Sequence, residues 1–481
     1  MQRKFITNLI LLLFLNLLIK PFWILGIDRS VQNLVGAESY GFYFTIFNFS
    51  FLFNILLDLG ITNFNNRNIA QNEQLLNKHF SGILIIKILL ALLYFVVTFG
   101  VALLIGYKGD RLYLLLWVGI NQFLLSFILY LRSNISGLLM FRTDSLISVL
   151  DRLLMILFCG ILIWGGVSGF SFTIEWFVYM QTLAYSITFL VALIIVIRKA
   201  AFRRLHWNRA FFMVIIRQSL PFALLVLLMT VYYRSDAILI ERILGGELGD
   251  KQSGIYAQAF RLLDAANMIP MLFAVLLMPM FSRMIKENGN VKEMVRLSWS
   301  MLFSLSVLVS VGSVVYSRDL MELLYIENID DATAIFGKII FSFIAVSSIY
   351  VFGALLTANG NLKALNIISI AALLVNIIVN LILIPQFMAR GAAWANLLTQ
   401  FTAAIPQIWL AHRIFNLRWE LRYLLTLAVY AAGILILSFI SRVLPFSWEI
   451  NFIFFLVAGF ILSFALKLIH VRGLLAIIRN K

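Results

Sequence analysis

The stretch PFALLVLLMTVYYRSDAILI, residues 221–240, shows what class of protein this chain is. It matches the ~20 predominantly apolar residues that a helix needs to cross the hydrocarbon core of a membrane. Two charged residues, Arg234 and Asp236, nevertheless lie inside it. A charge at that depth costs at least ~2.5–3.5 kcal/mol on insertion scales, so it usually faces a partner or a watery cavity. The stretch therefore predicts a membrane-spanning helix whose charges point away from lipid.

Similar apolar runs follow one another along the whole chain. Of the 481 residues, 62% are hydrophobic and only 12% are charged, whereas soluble domains are ~45–50% apolar and ~25% charged. The pattern predicts an all-α polytopic membrane protein with about 14 transmembrane helices. It excludes a β-barrel, which would show short segments of alternating hydrophobicity.

The basic residues are distributed unevenly between the predicted loops. The net charge is +16, and most of the loop lysines and arginines fall on alternate connections. In a membrane protein this bias sets orientation, and here it predicts that both termini are cytoplasmic. The charge is therefore no sign of nucleic-acid binding. The predicted domains are a six-helix bundle at 1–198, an amphipathic cytoplasmic linker at 199–218, a second six-helix bundle at 219–415, and two further helices with a tail at 416–481.

The two predicted bundles share a short repeat. GAESYGFY, Gly36 to Tyr43, stands before the second span, and GDKQSGIY, Gly249 to Tyr256, stands before the eighth. Both copies read Gly–x4–Gly–x–Tyr and fall where the chain enters the second span of a half from the outer side. Such internal repeats are typical of transporters. The repeat predicts two pseudo-symmetric halves in the same orientation.

Three cations interrupt the predicted spans: Lys20, Arg234 and Arg261. At ~1.5 Å per residue, Lys20 and Arg234 fall in the outer third of the first and seventh spans, and Arg261 lies slightly deeper in the eighth. If the halves pack as a pseudo-twofold pair, the three side chains converge on one central cavity. Arginine binds phosphate oxygens with a bidentate fork and lysine binds them as a point charge. The cations therefore predict a site for a phosphate-bearing lipid headgroup.

Internal ion pairing is the alternative explanation for these charges. Arg261 and Asp264 are spaced i, i+3 and can pair on one helix face. Asp236 is only two residues from Arg234 and needs a partner elsewhere. Asp236, Asp264 and Asp58 are therefore candidates either for ion pairs or for binding a coupling Na⁺ or H⁺.

A second set of charges lies toward the predicted inner side: Asp58, Lys87, Arg132, Asp151 and Arg152. Arg132 and Asp151 fall at similar depth on consecutive spans. Burying two opposite charges in lipid favours their pairing. We therefore predict a structural ion pair between Arg132 and Asp151.

The sequence does not predict an enzyme. It has no Gly-rich phosphate loop, no Ser/His/Asp set and no aspartate-rich motif, and its predicted outer loops are short. Cys159 is the single cysteine and the four histidines are scattered, so neither a metal nor another cofactor is predicted. A membrane-embedded glycosyltransferase or polymerase is the weaker alternative.

Three segments resemble a known family, the Wzx-type polysaccharide flippases. RSVQNLVGAESYGFYFTIFNFSFLFNILLDLGITNFNNRNIAQ (29–71) is similar to their opening, in which an LG-x-E/D-x-YG-x-Y segment leads to a DLG. DKQSGIYAQAFRLLDAANMIP (250–270) resembles their eighth span. NIIVNLILIPQFMARGAAWANLLTQ (376–400) resembles the asparagine–IP–GAAWA passage of their eleventh and twelfth spans.

The resemblance implies a member of the multidrug/oligosaccharidyl-lipid/polysaccharide (MOP) exporter superfamily, with two six-helix bundles around a V-shaped cavity and two C-terminal helices. It implies alternating-access transport of an undecaprenyl-diphosphate-linked oligosaccharide across a bacterial inner membrane. The implied partners are this glycan, membrane lipids and the polysaccharide polymerase machinery, and a monomer is expected.

Two relatives within this superfamily remain alternatives. One is a lipid II flippase, whose basic residues in the first and eighth spans match Lys20 and Arg261. The predicted second span Tyr40–Thr62 has no arginine, whereas lipid II flippases place one there. The other is a cation-coupled drug antiporter, which would prefer carboxylates to the cations present here.

Overall fold

A computed structural model gives the fold. It describes residues 14–16, 18–19, 21–62, 65, 69, 74–138, 140–165, 171–200, 209–417 and 421–469. These residues are mostly helical and contain no strand. The all-α prediction is therefore confirmed.

The chain forms two compact units, Met1–Gly254 and Ile255–Lys481. In the first unit a π-helical turn, Trp23–Asp28, leads into the helices. These are α1 (Arg29–Leu52), α2 (Leu75–Leu104), α3 (Asp110–Gly137), α4 (Phe141–Trp164), α5 (Ile174–Lys199), α6 (Arg209–Leu244) and the start of α7 (Gly246–Lys286).

The second unit contains the rest of α7 and eight further helices of the described chain. They are α8 (Lys292–Val315), α9 (Ser317–Leu324), α10 (Ile329–Ile339), α11 (Ser342–Ala358), α12 (Leu362–Phe387), α13 (Ala389–Phe415), α14 (Leu421–Val443) and α15 (Trp448–Ala465). The last two pack against each other and against α8. Two glycines allow this docking, because a Cβ on Gly459 would lie 2.3 Å from Leu308 and one on Gly312 would lie 2.6 Å from Phe455.

Eleven helices of the described residues are long and apolar enough to cross a membrane, and the chain is a multi-pass membrane protein. Large apolar side chains on these helices face outward, among them Leu104 at 87% exposure and Phe439 at 75%. Large apolar side chains exposed in such number on apolar helices mark a membrane-facing surface. Of the predicted first span, Phe5–Leu25, residues 5–13, 17 and 20 lie outside the described part. The twelfth predicted span, Gly391–Ala411, is part of one continuous helix, α13. This helix is not among the eleven, because buried polar side chains such as Asn396 and Gln400 lower its mean hydropathy.

The predicted second span, Tyr40–Thr62, is not one helix. Helix α1 begins before it and ends at Leu52, and a 3₁₀ turn follows at Asn54–Leu57. Leu59 and Gly60 then both adopt positive φ angles, 44° and 82°. An apolar run can therefore be unwound inside the membrane, provided that other groups satisfy its backbone.

The repeat marks a close helix crossing within the first unit. Helix α1 kinks at Gly36, which has φ 79°. Five residues later, a Cβ on Gly41 would lie 1.8 Å from the carbonyl oxygen of Asp250, and a Cβ on Gly254 would lie 1.7 Å from that of Ala37. The second glycines of the two repeat copies thus bring α1 and the start of α7 into backbone contact.

Helix α6 also belongs to the first unit. It packs along α1 and against the 3₁₀ turn of the interrupted span. Residues 201–208 of the predicted linker lie outside the described part. The two-bundle division at 199–218 therefore stays a prediction.

Candidate functional site

The interrupted second span is held by Lys87 of α2. The ammonium group donates to the carbonyl oxygen of Leu57 at 2.8 Å, to Asp58 Oδ1 at 2.9 Å and to Ser126 Oγ of α3 at 2.7 Å. The lysine side chain is fully buried, whereas 27% of the Asp58 side chain is exposed. Asp58, predicted as a coupling or ion-pair residue, is thus ion-paired with Lys87.

Asp58 is held from a second side by the residues that follow it. The backbone N–H of Thr62 lies 3.3 Å from both carboxylate oxygens, and the Thr62 hydroxyl donates to Oδ1. Leu57, beside Asp58, packs with Ala91 and Tyr94 of α2. The unwound segment is therefore an ordered part of the first unit, with its polar groups satisfied.

The predicted ion pair between Arg132 and Asp151 is wrong. Arg132 pairs instead with Asp144, with Nε 2.8 Å from Oδ1 and Nη2 3.3 Å from Oδ2. Asp144 lies in the first turn of α4, two turns before Asp151. A guanidinium can donate two parallel hydrogen bonds to one carboxylate, and Asp144 accepts two from Arg132. The depth of a residue along its span, counted from the sequence, is too coarse to show whether Asp144 or Asp151 pairs with Arg132.

Asp151 pairs with its neighbour Arg152. The two groups are 3.6 Å apart, Nε to Oδ2. The guanidinium of Arg152 also lies over two aromatic rings, 5.7 Å from the centroid of Trp23 and 5.8 Å from that of Tyr185. Cation–π contacts of this kind stabilise a charge away from bulk water.

Arg234 lies on α6 beside the end of α1. Its guanidinium carbon is 5.3 Å from the ring centroid of Phe51 and 5.2 Å from that of Tyr233. Phe51 immediately precedes the interruption of the second span. Asp236, two residues further along α6, is only 1% exposed. The predicted cation of the seventh span is therefore near an unwound segment, where polar ligands are expected to bind.

Arg261 and Asp264 lie close together on α7, as their i, i+3 spacing predicts. Nη1 is 3.9 Å from Oδ2, and the two side chains are 14% and 16% exposed. This separation is longer than the ~2.7–2.9 Å of a charge-assisted hydrogen bond. Lys20, the third predicted cation, lies outside the described residues. The convergence of the three cations on one cavity stays a prediction.

A cluster of ion pairs at the start of α3 was not predicted from the sequence. Arg111 Nη2 lies 2.7 Å from Asp250 Oδ2, and its Nη1 lies 3.2 Å from Glu241 Oε1. Glu241 Oε2 also pairs with Arg242 Nε at 3.2 Å. The cluster joins α3, the end of α6 and the start of α7 beside the Gly41–Gly254 crossing. Arg111 and Asp250 are 139 positions apart, so only the fold brings them together.

Asp28 is another buried carboxylate that was not predicted from the sequence. It ends the π-helical turn, is 2% exposed, and accepts hydrogen bonds at 2.9 Å from the hydroxyl of Tyr40. The predicted first span ends at Leu25, so the sequence places Asp28 in an outer loop. In the structure the chain stays helical through this region, so Asp28 is inside the bundle. Its only sequence signal is an acidic residue next to an apolar run.

The charged side chains described above lie in ion pairs and in cation–π contacts. Within the described residues, no group of three or more His, Cys, Asp or Glu side chains could hold a metal ion. The ionic side chains are instead fixed in pairs or over aromatic rings inside apolar helices. Fixed cations inside a membrane typically mark a substrate or ion pathway.

Comparison with known proteins decides the family. A family model described as polysaccharide biosynthesis protein matches residues 8–285, more than half of the 481 residues. The chain belongs to this polysaccharide biosynthesis protein family. The match includes the interrupted span and the Gly41–Gly254 crossing. No curated protein sequence matches the chain.

Solved structures share the fold of this family member. The lipid II flippase MurJ, in an inward closed conformation, is 14% identical with a TM-score of 0.71, covering 98% of this chain and 100% of MurJ. An inward-facing multidrug resistance MATE family transporter of the MOP superfamily is 17% identical with a TM-score of 0.64, covering 85% of this chain and 98% of that chain. A MOP superfamily transporter from Pyrococcus furiosus, described as having a binding pocket of reverse polarity, is 16% identical with a TM-score of 0.60, covering 86% and 96%.

These likenesses show a common fold. The predicted MOP-like architecture of this polysaccharide biosynthesis family member is therefore confirmed. The proteins that share its fold are named as a flippase and as transporters. This agrees with the prediction that the chain is not an enzyme.

Proposed function

We propose that the chain is a flippase for an undecaprenyl-diphosphate-linked oligosaccharide, the repeat unit of a surface polysaccharide such as O-antigen. It moves this lipid from the inner to the outer leaflet of the cytoplasmic membrane by alternating access. One observation carries the proposal: two arginines, Arg234 and Arg261, lie inside apolar helices of a polysaccharide biosynthesis family member. Membrane-embedded arginines are costly and are retained for a ligand or a partner.

The chemistry of the two arginines suits a diphosphate. A guanidinium matches phosphate oxygens with two parallel N–H···O bonds and stays charged at any physiological pH. Asp264 lies 3.9 Å from Arg261 and would compete with the ligand for it. Lys20 supplies a third cation in the proposed site. Asp264 is the counter-charge that would pair with Arg261 when the lipid leaves, and Asp236 and Asp264 are both candidates for a coupling ion.

The proposed topology follows from the loop charges. Both termini would be cytoplasmic because the basic connections lie on that side. The lipid-linked glycan would then be loaded on the cytoplasmic side and released toward the enzymes that polymerise it. We propose that a single copy of the chain performs this cycle.

A lipid II flippase is the second candidate, because MurJ has the same fold over 98% of the chain. The residues favour the first candidate, since the second span contains no arginine and is instead interrupted around Lys87 and Asp58. The two substrates share the undecaprenyl diphosphate and differ in the sugar and peptide.

A thermal-shift experiment on the purified protein tests the proposed ligand. Undecaprenyl-diphosphate-linked oligosaccharide should raise the Tm, because a ligand that binds only the folded state stabilises it. Undecaprenol, which lacks the diphosphate, is the control and should have no effect. A larger rise with lipid II than with the oligosaccharide lipid would favour the second candidate. Equal responses to undecaprenol and to both diphosphates would contradict the proposal.

A further inference from the structure

We infer that the interruption of the second span is a binding site for a monovalent cation, and that the ammonium group of Lys87 permanently occupies it. The inference concerns the first unit alone and stands independently of the proposed substrate. It rests on the oxygen atoms around Lys87, on their charge and on their exposure.

The first step is the unwound backbone. Helical carbonyls are used within the helix, whereas unwound carbonyls inside a membrane protein are available to coordinate cations. The chain unwinds between Leu52 and Ile61, and the carbonyl oxygen of Leu57 accepts side-chain donors there, from Lys87 at 2.8 Å and from Ser126 at 3.2 Å. The break thus provides a ligand that a continuous helix would not.

The second step is the completeness of the oxygen set. An ammonium group has three N–H donors and no acceptor. Lys87 places its three donors on three oxygens of different kinds: the Leu57 carbonyl, the Asp58 carboxylate and the Ser126 hydroxyl, all at 2.7–2.9 Å. Carbonyl, carboxylate and hydroxyl oxygens are also the ligands of hard metal cations. The site therefore binds a single positive charge through oxygen.

The third step is charge balance. A buried carboxylate without a counter-charge is strongly destabilising. Thr62 fixes Asp58 so that its Oδ1 points at the site. Lys87 neutralises Asp58 from a helix that is separate in sequence, and it thereby ties α2 and α3 to the broken span.

The fourth step is access. The Lys87 side chain is completely buried, but 27% of the Asp58 side chain is exposed. Because a charged side chain within a membrane protein faces a watery cavity and not lipid, a small dissolved cation can approach the exposed part of the carboxylate when the lysine is absent. It follows that the native first unit needs no dissolved cation at this site, and that removing the ammonium group creates such a requirement.

The test uses the purified full-length protein in detergent. Lys87→Ala removes the ammonium group and most of its stem, and n-propylammonium chloride supplies a cation of the missing size. We expect propylammonium to raise the Tm of Lys87→Ala by at least roughly 2 °C near saturation, and NaCl to raise it less, each against choline chloride at equal concentration. The wild type should not respond. An equal response of wild type and variant would overturn the inference.

Two further variants keep the test decisive. Lys87→Met fills the space without a charge, so it should respond less than Lys87→Ala to propylammonium. Should Lys87→Ala fail to accumulate, Lys87→Met is compared with Lys87→Met/Asp58→Asn. We expect the double variant to be several-fold more abundant, because no unpaired charge is left in the site. Equal abundance of the single and double variants would show that the oxygen set does not require a cation, and would overturn the inference.

Discussion

Gly41 of α1 and Gly254 of α7 pack backbone against backbone. A Cβ on Gly41 would lie 1.8 Å from Asp250 O and 2.5 Å from Gly254 N, and a Cβ on Gly254 would lie 1.7 Å from Ala37 O. The hydroxyls of Thr45 and Ser253 are hydrogen-bonded at 2.8 Å beside this contact. The two glycines hold the same place in the two copies of the repeat. Equivalent positions that contact each other are what an approximate twofold axis through this point would produce.

The first prediction concerns the size of these glycines. Gly41→Ala would place a methyl group inside a backbone carbonyl, and overpacking of this kind typically costs about 1–3 kcal/mol or more. We expect a Tm several degrees below that of the wild type. Gly100→Ala on α2 is the matched control, because no atom lies within 4 Å of its added Cβ, and it should not lower the Tm. Equal Tm values for the two variants would show that the crossing is looser than described.

The second prediction concerns movement at the same crossing. In the proposed transport cycle one side of the protein must open while the other closes, and we expect α1 to separate from the start of α7. In the variant Thr45→Cys/Ser253→Cys the sulfur atoms replace hydroxyls that are 2.8 Å apart. Oxidation should form a disulfide and stop transport, and reduction should restore it. Cys159 is buried and should not react.

Each single-cysteine variant is the control and should transport with or without oxidant. Full activity of the cross-linked protein would show that this crossing stays closed throughout the cycle.

The third prediction concerns the partner of Arg132. A double-mutant cycle between Arg132→Ala and Asp144→Ala should give a coupling free energy of about 0.5–3 kcal/mol, because the two side chains share two hydrogen bonds. The same cycle with Asp151→Ala should give a coupling near zero. Urea or thermal unfolding in detergent measures both. A larger coupling with Asp151 would restore the pairing expected from the sequence and refute the geometry.

The fourth prediction concerns the proposed phosphate contacts. Lys20→Ala, Arg234→Ala and Arg261→Ala should each slow transport by ~10–100-fold, since a hydrogen bond to a charged group contributes about 1.5–3 kcal/mol. Abundance and membrane insertion should stay near those of the wild type. Lys20→Arg should retain part of the activity. Arg390→Ala is the control, since Arg390 is an exposed arginine paired with Asp331, and it should transport normally.

Much of the fold follows from hydrophobic runs, because each run of about 20 apolar residues must be a helix in lipid. The local pair Arg261–Asp264 was likewise predictable from its spacing. The break after Leu52 was not, since its apolar residues continue through the unwound segment. The Leu57 carbonyl there is bonded by Lys87 and Ser126, which lie on other helices. Whether Arg132 pairs with Asp144 or with Asp151 depends on the position of α4 to within about two turns, which the sequence does not provide. The Arg111–Asp250 pair depends on tertiary packing alone.

Leaflet transfer of the lipid is the most direct measurement of the proposed flippase activity. The purified protein is placed in liposomes with fluorescent undecaprenyl-diphosphate-linked oligosaccharide, and a membrane-impermeant reagent measures the fraction of label on the outer side, with and without a Na⁺ or H⁺ gradient. We predict that the wild type makes the inner-leaflet label accessible, and that Arg234→Ala does so at least about tenfold more slowly. Accessibility no faster than in protein-free liposomes, under every gradient, would contradict the account.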